Sequence, residues 1–346
     1  MRLPLETQSR TVRPAPSPPS RVLEQAGAST APPAVIDLTD PVSPDAVAPT
    51  DPVSTHAVAP PDTTDAVAPT DTTGFAAPTG WPRPPRTRVI AVANQKGGCA
   101  KTTSTVNLAA ALAQAGLNVL VLDLDPQGNA STALGLEHHV GVPGLYDVIV
   151  DRRPLAETVA PCPDVARLLG APATIDLAGA DLELISKVDR EHRLRTSLAD
   201  YLATRTDDDR VDFVLIDCPP SLSLLTVNAF TAANEVLIPV QCEYYALEGL
   251  SQLLGHIELV RAHLNPDLVI SSLLLTMHDS RTKLSGQVAD EVRAHFPDKV
   301  ARTVIPRSVR ISEAPSHGQT VLTYEPNSTG ARCYRDAAHE LALRQP

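Results

Sequence analysis

Eight consecutive residues, Lys96-Gly97-Gly98-Cys99-Ala100-Lys101-Thr102-Thr103, combine the side chains and backbone freedom that a phosphate group needs. Glycines let the backbone turn its N–H groups toward an anion, and a helix beginning where the loop ends adds its positive end. Lys101 can reach the β- and γ-phosphates of a nucleoside triphosphate, and the Thr102 hydroxyl can join the shell of a Mg2+ ion. The general pattern G-x-x-x-x-G-K-[ST] is not met, because Gln95 and Ala100 stand at its glycine positions. What is met is a deviant form with an extra lysine, Lys96, at the start of the loop. If Ala100 has a positive φ, the alanine costs about 1 kcal/mol. Three aspartates extend the set. Asp123 and Asp125 close one apolar run and Asp217 closes another. Alternate strand residues share a side, so Asp123 and Asp125 can approach one site. A lone strand-end aspartate is often only a helix cap, but three at the ligand edge of one sheet make that reading a poor account of all of them.

The surrounding pattern supplies the elements to position these groups. Residues 89–93 are a short apolar run of the kind found in buried parallel strands, and residues 104–115 read as an alanine-rich helix stopped at Gly116. Residues 118–123 read as the next strand, completing a βαβ unit. Further strands are expected at 212–217, 235–240, 269–275 and 303–305, and further helices at 180–202, 222–233, 247–263, 285–295 and 331–343. The order predicts a doubly wound, mostly parallel α/β domain over residues 87–346, with ligands at the carboxyl ends of the strands.

Composition narrows the choice of function. The chain has 346 residues and a formal net charge of −11, so a uniformly basic nucleic-acid binder is excluded while a local basic patch is not. Aromatics make up only 3% of residues, which argues against base stacking. Five cysteines without a C-x-x-C pair give no support to a zinc site, an iron–sulfur site or a disulfide framework. No stretch has the roughly 20 apolar residues of a membrane span, and the first ten residues lack the apolar core of a secretory signal. The expected location is the cytoplasm. Many of the 33 prolines fall in residues 1–86, where the unit DAVAPTD at 45–51 recurs as HAVAPPD at 56–62 and DAVAPTD at 65–71. Proline in every unit blocks a helix or a central strand, so this segment is expected to be a disordered tail.

The loop, with Asn94-Gln95 before it, resembles that of the ParA/Soj partition ATPases, within the MinD-type deviant P-loop (deviant Walker A) class. The resemblance covers 88–346 and includes DLDPQGN at 123–129, DCPPS at 217–221, QCEYYALEG at 241–249 and IPRSVRISEAPSHG at 305–318. It implies a P-loop NTPase fold that binds ATP with Mg2+ along the whole loop from Lys96 to Thr103 and hydrolyses it. It implies that Lys96 crosses to the partner's phosphates in an ATP-sandwiched homodimer and that Asp125 positions the attacking water. Asp123 is placed in the Mg2+ shell with Thr102, and Asp217 in the Walker B role. Arg281 and Arg310 match the family's DNA-contacting arginines, while Met277 and Pro306 match residues bordering the adenine. Local charge agrees with the arginines' role: residues 276–310 hold seven Lys/Arg against four Asp/Glu. The resemblance thus implies a DNA-segregation ATPase that binds double-stranded DNA nonspecifically on the nucleoid when ATP-bound and is released when a ParB-like protein stimulates hydrolysis.

Other functions on the same fold fit less well. A MinD-type membrane-associated regulator of cell division needs a basic amphipathic C-terminal helix, and the last six residues, LALRQP, are too short and not basic enough. An iron–sulfur carrier needs cysteines at cluster spacing, and a tyrosine autokinase needs a terminal tyrosine cluster.

Overall fold

Apolar runs that end in a polar residue set the centre of the fold. The strands are β1 (Arg88–Val92), β2 (Val119–Asp123), β3 (Ala160–Pro161), β4 (Leu168–Ala171), β5 (Phe213–Asp217), β6 (Glu235–Gln241), β7 (Val269–His278) and β8 (Val300–Pro306). Every residue of β1, β2, β5 and β6 is buried, as a parallel sheet covered on both faces requires. The computed structural model describes residues 80–344, apart from 207, 244 and 245. The repeat-bearing part of the expected tail, residues 45–71, lies outside the described residues.

The strands form one sheet in the order β3-β4-β2-β5-β1-β6-β7-β8, parallel throughout except for the two-residue β3. Register is fixed by side-chain alternation. Val89 and Ala91 of β1, Leu120 and Leu122 of β2, and Val214 and Ile216 of β5 face one apolar layer. Helices Arg193–Ala203, Leu224–Ala232 and Ala246–His263 cover that layer. Ile90, Val92, Val119, Val121, Phe213 and Leu215 face the other layer. There the helix after the phosphate loop, α1 (Lys101–Gln114), packs beside the C-terminal helix Thr329–Leu343. The doubly wound α/β architecture expected from the sequence is the one observed.

Three local differences have physical causes. The helix expected over 180–202 is two helices, Ala180–Leu184 and Arg193–Ala203. Asp189 between them has φ 54°, which a helix cannot contain. The break lets the Arg193 guanidinium reach the carbonyls of Ile149 and Val150 at 3.0 and 2.8 Å. The stretch 126–179, which carried no expectation, holds β3, β4 and the five-residue helices Asn129–Ala133 and Leu145–Ile149, and β4 extends the sheet beyond β2. Residues 81–86, assigned to the tail, lie against the domain: the Trp81 ring sits 4.9 Å from that of His339, and Arg83 Nε donates to Asp212 Oδ1 at 3.0 Å. The domain therefore begins before residue 87.

A buried ion pair ties the middle of the sheet to the end of the chain. Arg88 donates to both Glu235 oxygens at 2.7 and 2.6 Å and to the Leu341 carbonyl at 2.7 Å, and its guanidinium lies 5.2 Å from the centre of the Phe213 ring. Removing one partner strands the other charge in the interior. Arg88→Ala should therefore lower the unfolding free energy by about 3–5 kcal/mol, read as a fall in the urea midpoint with an unchanged slope.

Candidate nucleotide-binding site

The phosphate loop is held from several sides. β1 ends at Val92, α1 begins at Lys101, and Gly98 and Ala100 both lie in the left-handed region at φ 72° and 68°. The positive φ contemplated for Ala100 is thus realised. Asn94 spans the loop's entrance: its Nδ2 donates to the Pro239 carbonyl at 2.7 Å and its Oδ1 accepts from Lys96 N at 3.0 Å. On the far side the Thr276 hydroxyl donates to the Cys99 carbonyl at 3.0 Å, while the Cys99 side chain is buried. Gln95 Nε2 lies 2.7 Å from His256 Nδ1. A Cβ placed on Gly97 or Gly98 would meet nothing within 4 Å, so the loop is braced from behind and open in front.

The two lysines of the loop are used differently. Lys101 is buried and folds back on the loop, its Nζ donating to the Lys96 carbonyl at 3.3 Å. Lys96 turns away from the loop, and its Nζ bonds Glu243 Oε2 at 3.0 Å.

Carboxylates occupy the adjacent strand ends. Asp123 and Asp217 are register partners across β2 and β5, and both are buried. Asp217 accepts from the Thr102 hydroxyl at 2.6 Å and the Thr105 hydroxyl at 3.0 Å. Both oxygens of Asp123 are engaged: one by the Ser131 N–H and hydroxyl at 2.8 and 2.7 Å, the other by the Asp125 N–H at 3.2 Å. Burial pushes both carboxyls above the usual range; the charge of Asp123 pushes Asp217 further, and the two threonine hydroxyls pull it back. Asp125 accepts from Gln127 N at 3.0 Å in a tight turn.

The donor set fits a hard cation. A threonine hydroxyl and carboxylate oxygens, without thiolate or imidazole, suit Mg2+, which keeps several waters and takes one or two protein oxygens. Among the described residues no cluster of three or more His, Cys, Asp or Glu side chains could hold a metal unaided.

Lys96, Lys101, Thr102, Asp123, Asp125 and Asp217 are thus gathered at the carboxyl edge of β1, β2 and β5. Thr103 follows them on α1 and lends its carbonyl to Asn107. Met277, at φ 52°, and Pro306 sit at the paired ends of β7 and β8, with His278 the register partner of Pro306. Arg281 and Arg310 leave the same edge, in the segments after β7 and β8. Each is paired locally: Arg281 forks onto Asp279 at 2.9 and 2.8 Å, and Arg310 reaches Glu313 at 3.1 Å. Arg307 lies 3.7 Å from Glu243. The patch is consequently less positive than its composition suggests, but exposed pairs of this kind hold weakly. Sequence reasoning missed Thr105, Ser131 and Glu243. Thr105 stands one helical turn beyond Lys101, and this i,i+4 spacing was a usable signal. Ser131 and Glu243 reach their partners only through the tertiary fold.

Comparison with known proteins identifies relatives in sequence and in structure. Residues 87–270 match the family described as an AAA domain. The chain is 51% identical over 255 residues to the sporulation initiation inhibitor protein Soj of Bacillus subtilis (strain 168), covering 74% of this chain and 98% of that protein. It is 46% identical over 257 residues to the chromosome partitioning protein ParA of Myxococcus xanthus (strain DK1622), covering 74% and 88%. Among solved structures, cobyrinic acid a,c-diamide synthase from Mycobacterium smegmatis with bound ADP and magnesium superposes with a TM-score of 0.62 at 38% identity, covering 73% of this chain and 92% of that one. The septum site-determining protein MinD of Pyrococcus horikoshii OT3, complexed with Mg-ADP, shares the fold at a TM-score of 0.59 and 24% identity, covering 74% and 96%.

The left-handed alanine yields a direct test. Ala100→Gly removes the Cβ penalty at φ 68° and should raise the unfolding free energy by about 0.5–1 kcal/mol, the strain relieved outweighing the flexibility added to the unfolded chain. Urea titration of the two proteins side by side measures it.

Proposed function

The chain belongs to the ParA/Soj family of chromosome-partitioning ATPases, and from that premise we propose that it moves DNA through an ATP-dependent sandwich dimer. The observation that carries this reading is the division of labour between the two lysines. Lys101 is buried in its own loop, where it can neutralise the phosphates of one ATP. Lys96 reaches instead to the half-exposed Glu243 of its own subunit, a contact weak enough to be exchanged for a second triphosphate across a subunit interface. Dimerisation would give that charge a partner that a single bound nucleotide does not supply.

Within one subunit the roles follow from the contacts. The Thr102 hydroxyl and the Asp217 carboxylate, 2.6 Å apart, would hold the metal side of the site, directly and through water. Bound Mg2+ would neutralise charge on the β- and γ-phosphate oxygens. Asp123, expected from the sequence in the Mg2+ shell, has both oxygens taken by Ser131 and the Asp125 N–H, and would instead act from behind, fixing the turn that carries Asp125. Asp125 would orient the attacking water. Met277 and Pro306 would border the base.

Hydrolysis in this scheme ends DNA binding rather than powering a separate reaction. Arg281 and Arg310 would contact DNA phosphates without reading bases, exchanging exposed carboxylate partners for phosphate. One subunit's patch is small, and two on one body would bind bivalently. A ParB-like centromere-binding protein would stimulate hydrolysis and release the dimer from the nucleoid. A MinD-like membrane role finds less support, since the C-terminal helix spends its apolar face, including Tyr334, Ala338 and Leu341, inside the domain. No helix among the described residues is long and apolar enough to cross a membrane.

Two predictions test the scheme. Lys101→Ala should abolish binding of a fluorescent ATP analogue, while Asp125→Ala should retain it, lower turnover by about 100-fold or more through loss of water positioning, and accumulate as an ATP-bound dimer. An Asp125→Ala protein that stays monomeric in saturating ATP would count against the assigned role. DNA binding, followed by anisotropy on two unrelated duplexes, should need ATP rather than ADP, show no sequence preference and weaken steeply between low and moderate salt. Arg310→Glu should remove it and Arg281→Glu should weaken it. Equal affinity with either nucleotide would instead indicate a nucleotide-independent DNA-binding protein.

A further inference from the structure

Glu243 lies just beyond β6, the strand beside β1, and one carboxylate serves three neighbours. Its Oε2 accepts from Lys96 Nζ at 3.0 Å, its Oε1 accepts from Gln241 Nε2, and the same Oε1 lies 3.7 Å from Arg307 Nη2. The Lys96 and Glu243 side chains are 32% and 46% exposed, so the pair is neither locked in the core nor freely solvated. We propose that Glu243 is a positioning residue that parks Lys96 within its own subunit, so that Lys96 is released only when a partner subunit's triphosphate offers a stronger anion. The inference rests on the ATP-dependent dimer proposed above.

Charge and geometry both point this way. A lysine destined to cross a subunit interface needs a resting place in the monomer, and an unpaired ammonium beside Lys101 would repel it across the loop. A half-exposed ion pair is weak enough to be exchanged: such pairs are worth little against a polyphosphate carrying several charges. The carboxylate also keeps company after the lysine leaves. Gln241 continues to hold one oxygen, and Arg307 stands close enough to take up the charge. Release of Lys96 would thereby draw Arg307 toward Glu243. Arg307 directly precedes the segment Ser308–Arg310, so the parking contact joins the nucleotide loop to the chain that carries one of the proposed DNA-contacting arginines. A side chain serving only the fold would not need both a mobile cation and a second cation in waiting.

The test is a double-mutant cycle on the 346-residue chain, read as dimer fraction by light scattering across a protein titration at saturating non-hydrolysable ATP analogue. Glu243→Gln keeps the shape and the Gln241 contact but removes the charge. Two such contacts must open per dimer, and at about threefold for each exposed pair the dimerisation constant should rise about tenfold. Glu243→Asp, which retains the carboxylate, should stay within about twofold of the unaltered chain, on the same scale of small exposed-pair energies. In a Lys96→Ala background, Glu243→Gln should change nothing further, because the residue acts through Lys96. A weaker dimer in Glu243→Gln, or an equal gain with and without Lys96, would overturn the proposal. Should Glu243→Gln fail to fold, the Glu243→Asp result would still decide: an Asp variant that dimerises far more readily than the unaltered chain contradicts charge-based parking. If the unaltered chain remains monomeric with the analogue, the dimer reading itself falls. If it dimerises and Glu243→Gln leaves the midpoint unmoved, the dimer reading stands and only the role of Glu243 is lost.

Discussion

The site is organised around a carboxylate that the sheet buries. Asp217 ends a strand whose every residue is inaccessible, and an ionised carboxylate there is costly unless cations or donors approach it. Thr102 and Thr105, from the first two turns of α1, supply two hydroxyls, and so the helix that follows the phosphate loop is tied to the strand beside it. The like charge of Asp123 on the neighbouring strand worsens the imbalance, which a divalent cation with its phosphates would relieve. Loop, helix start and both strand ends are then parts of one electrostatic problem, and the apolar layers above and below the sheet keep water from solving it.

How much of this was legible in the sequence depended on the length of the signal. The central strands were readable because a parallel sheet with two covered faces demands continuous apolar runs, and β1, β2, β5 and β6 are such runs. The outer strand β4 was not readable: four residues, LLGA, give no periodicity to count. The helix over 180–202 was overextended because its composition is helical and nothing local announces that Asp189 adopts a positive φ; the break exists to let Arg193 bond carbonyls 43 and 44 residues away. The domain start was placed too late because Trp81 and Arg83 sit in a proline-rich stretch. Their partners, His339 and Asp212, are more than 120 residues distant, and only the fold brings them near.

The site divides along the same line. Residues inside one contiguous motif, from Lys96 to Thr103, were legible because a phosphate loop is local by nature. Asp123 and Asp217 were legible as strand ends. The supports were not: Ser131 holds Asp123 across eight positions, and Glu243 meets Lys96 across 147. Such positions have ordinary identities and gain meaning only from what the tertiary structure places beside them.

Sheet order explains how events at the loop could be felt at the arginines. Strands lie about 4.8 Å apart, so β7 is about 10 Å and β8 about 14 Å from β1 along the sheet. Both leave the same carboxyl edge as the loop. The Thr276 hydroxyl on β7 bonds the Cys99 carbonyl in the middle of that loop, and Met277, beside it, is held at a positive φ that a β-strand does not otherwise use. The segments carrying Arg281 and Arg310 begin within a few residues of these points. A change in the loop has therefore only one hydrogen bond and one strand pairing to traverse before reaching the segments that carry Arg281 and Arg310. That proximity would make the proposed coupling between the nucleotide loop and the two arginines physically economical, without a separate lever between them.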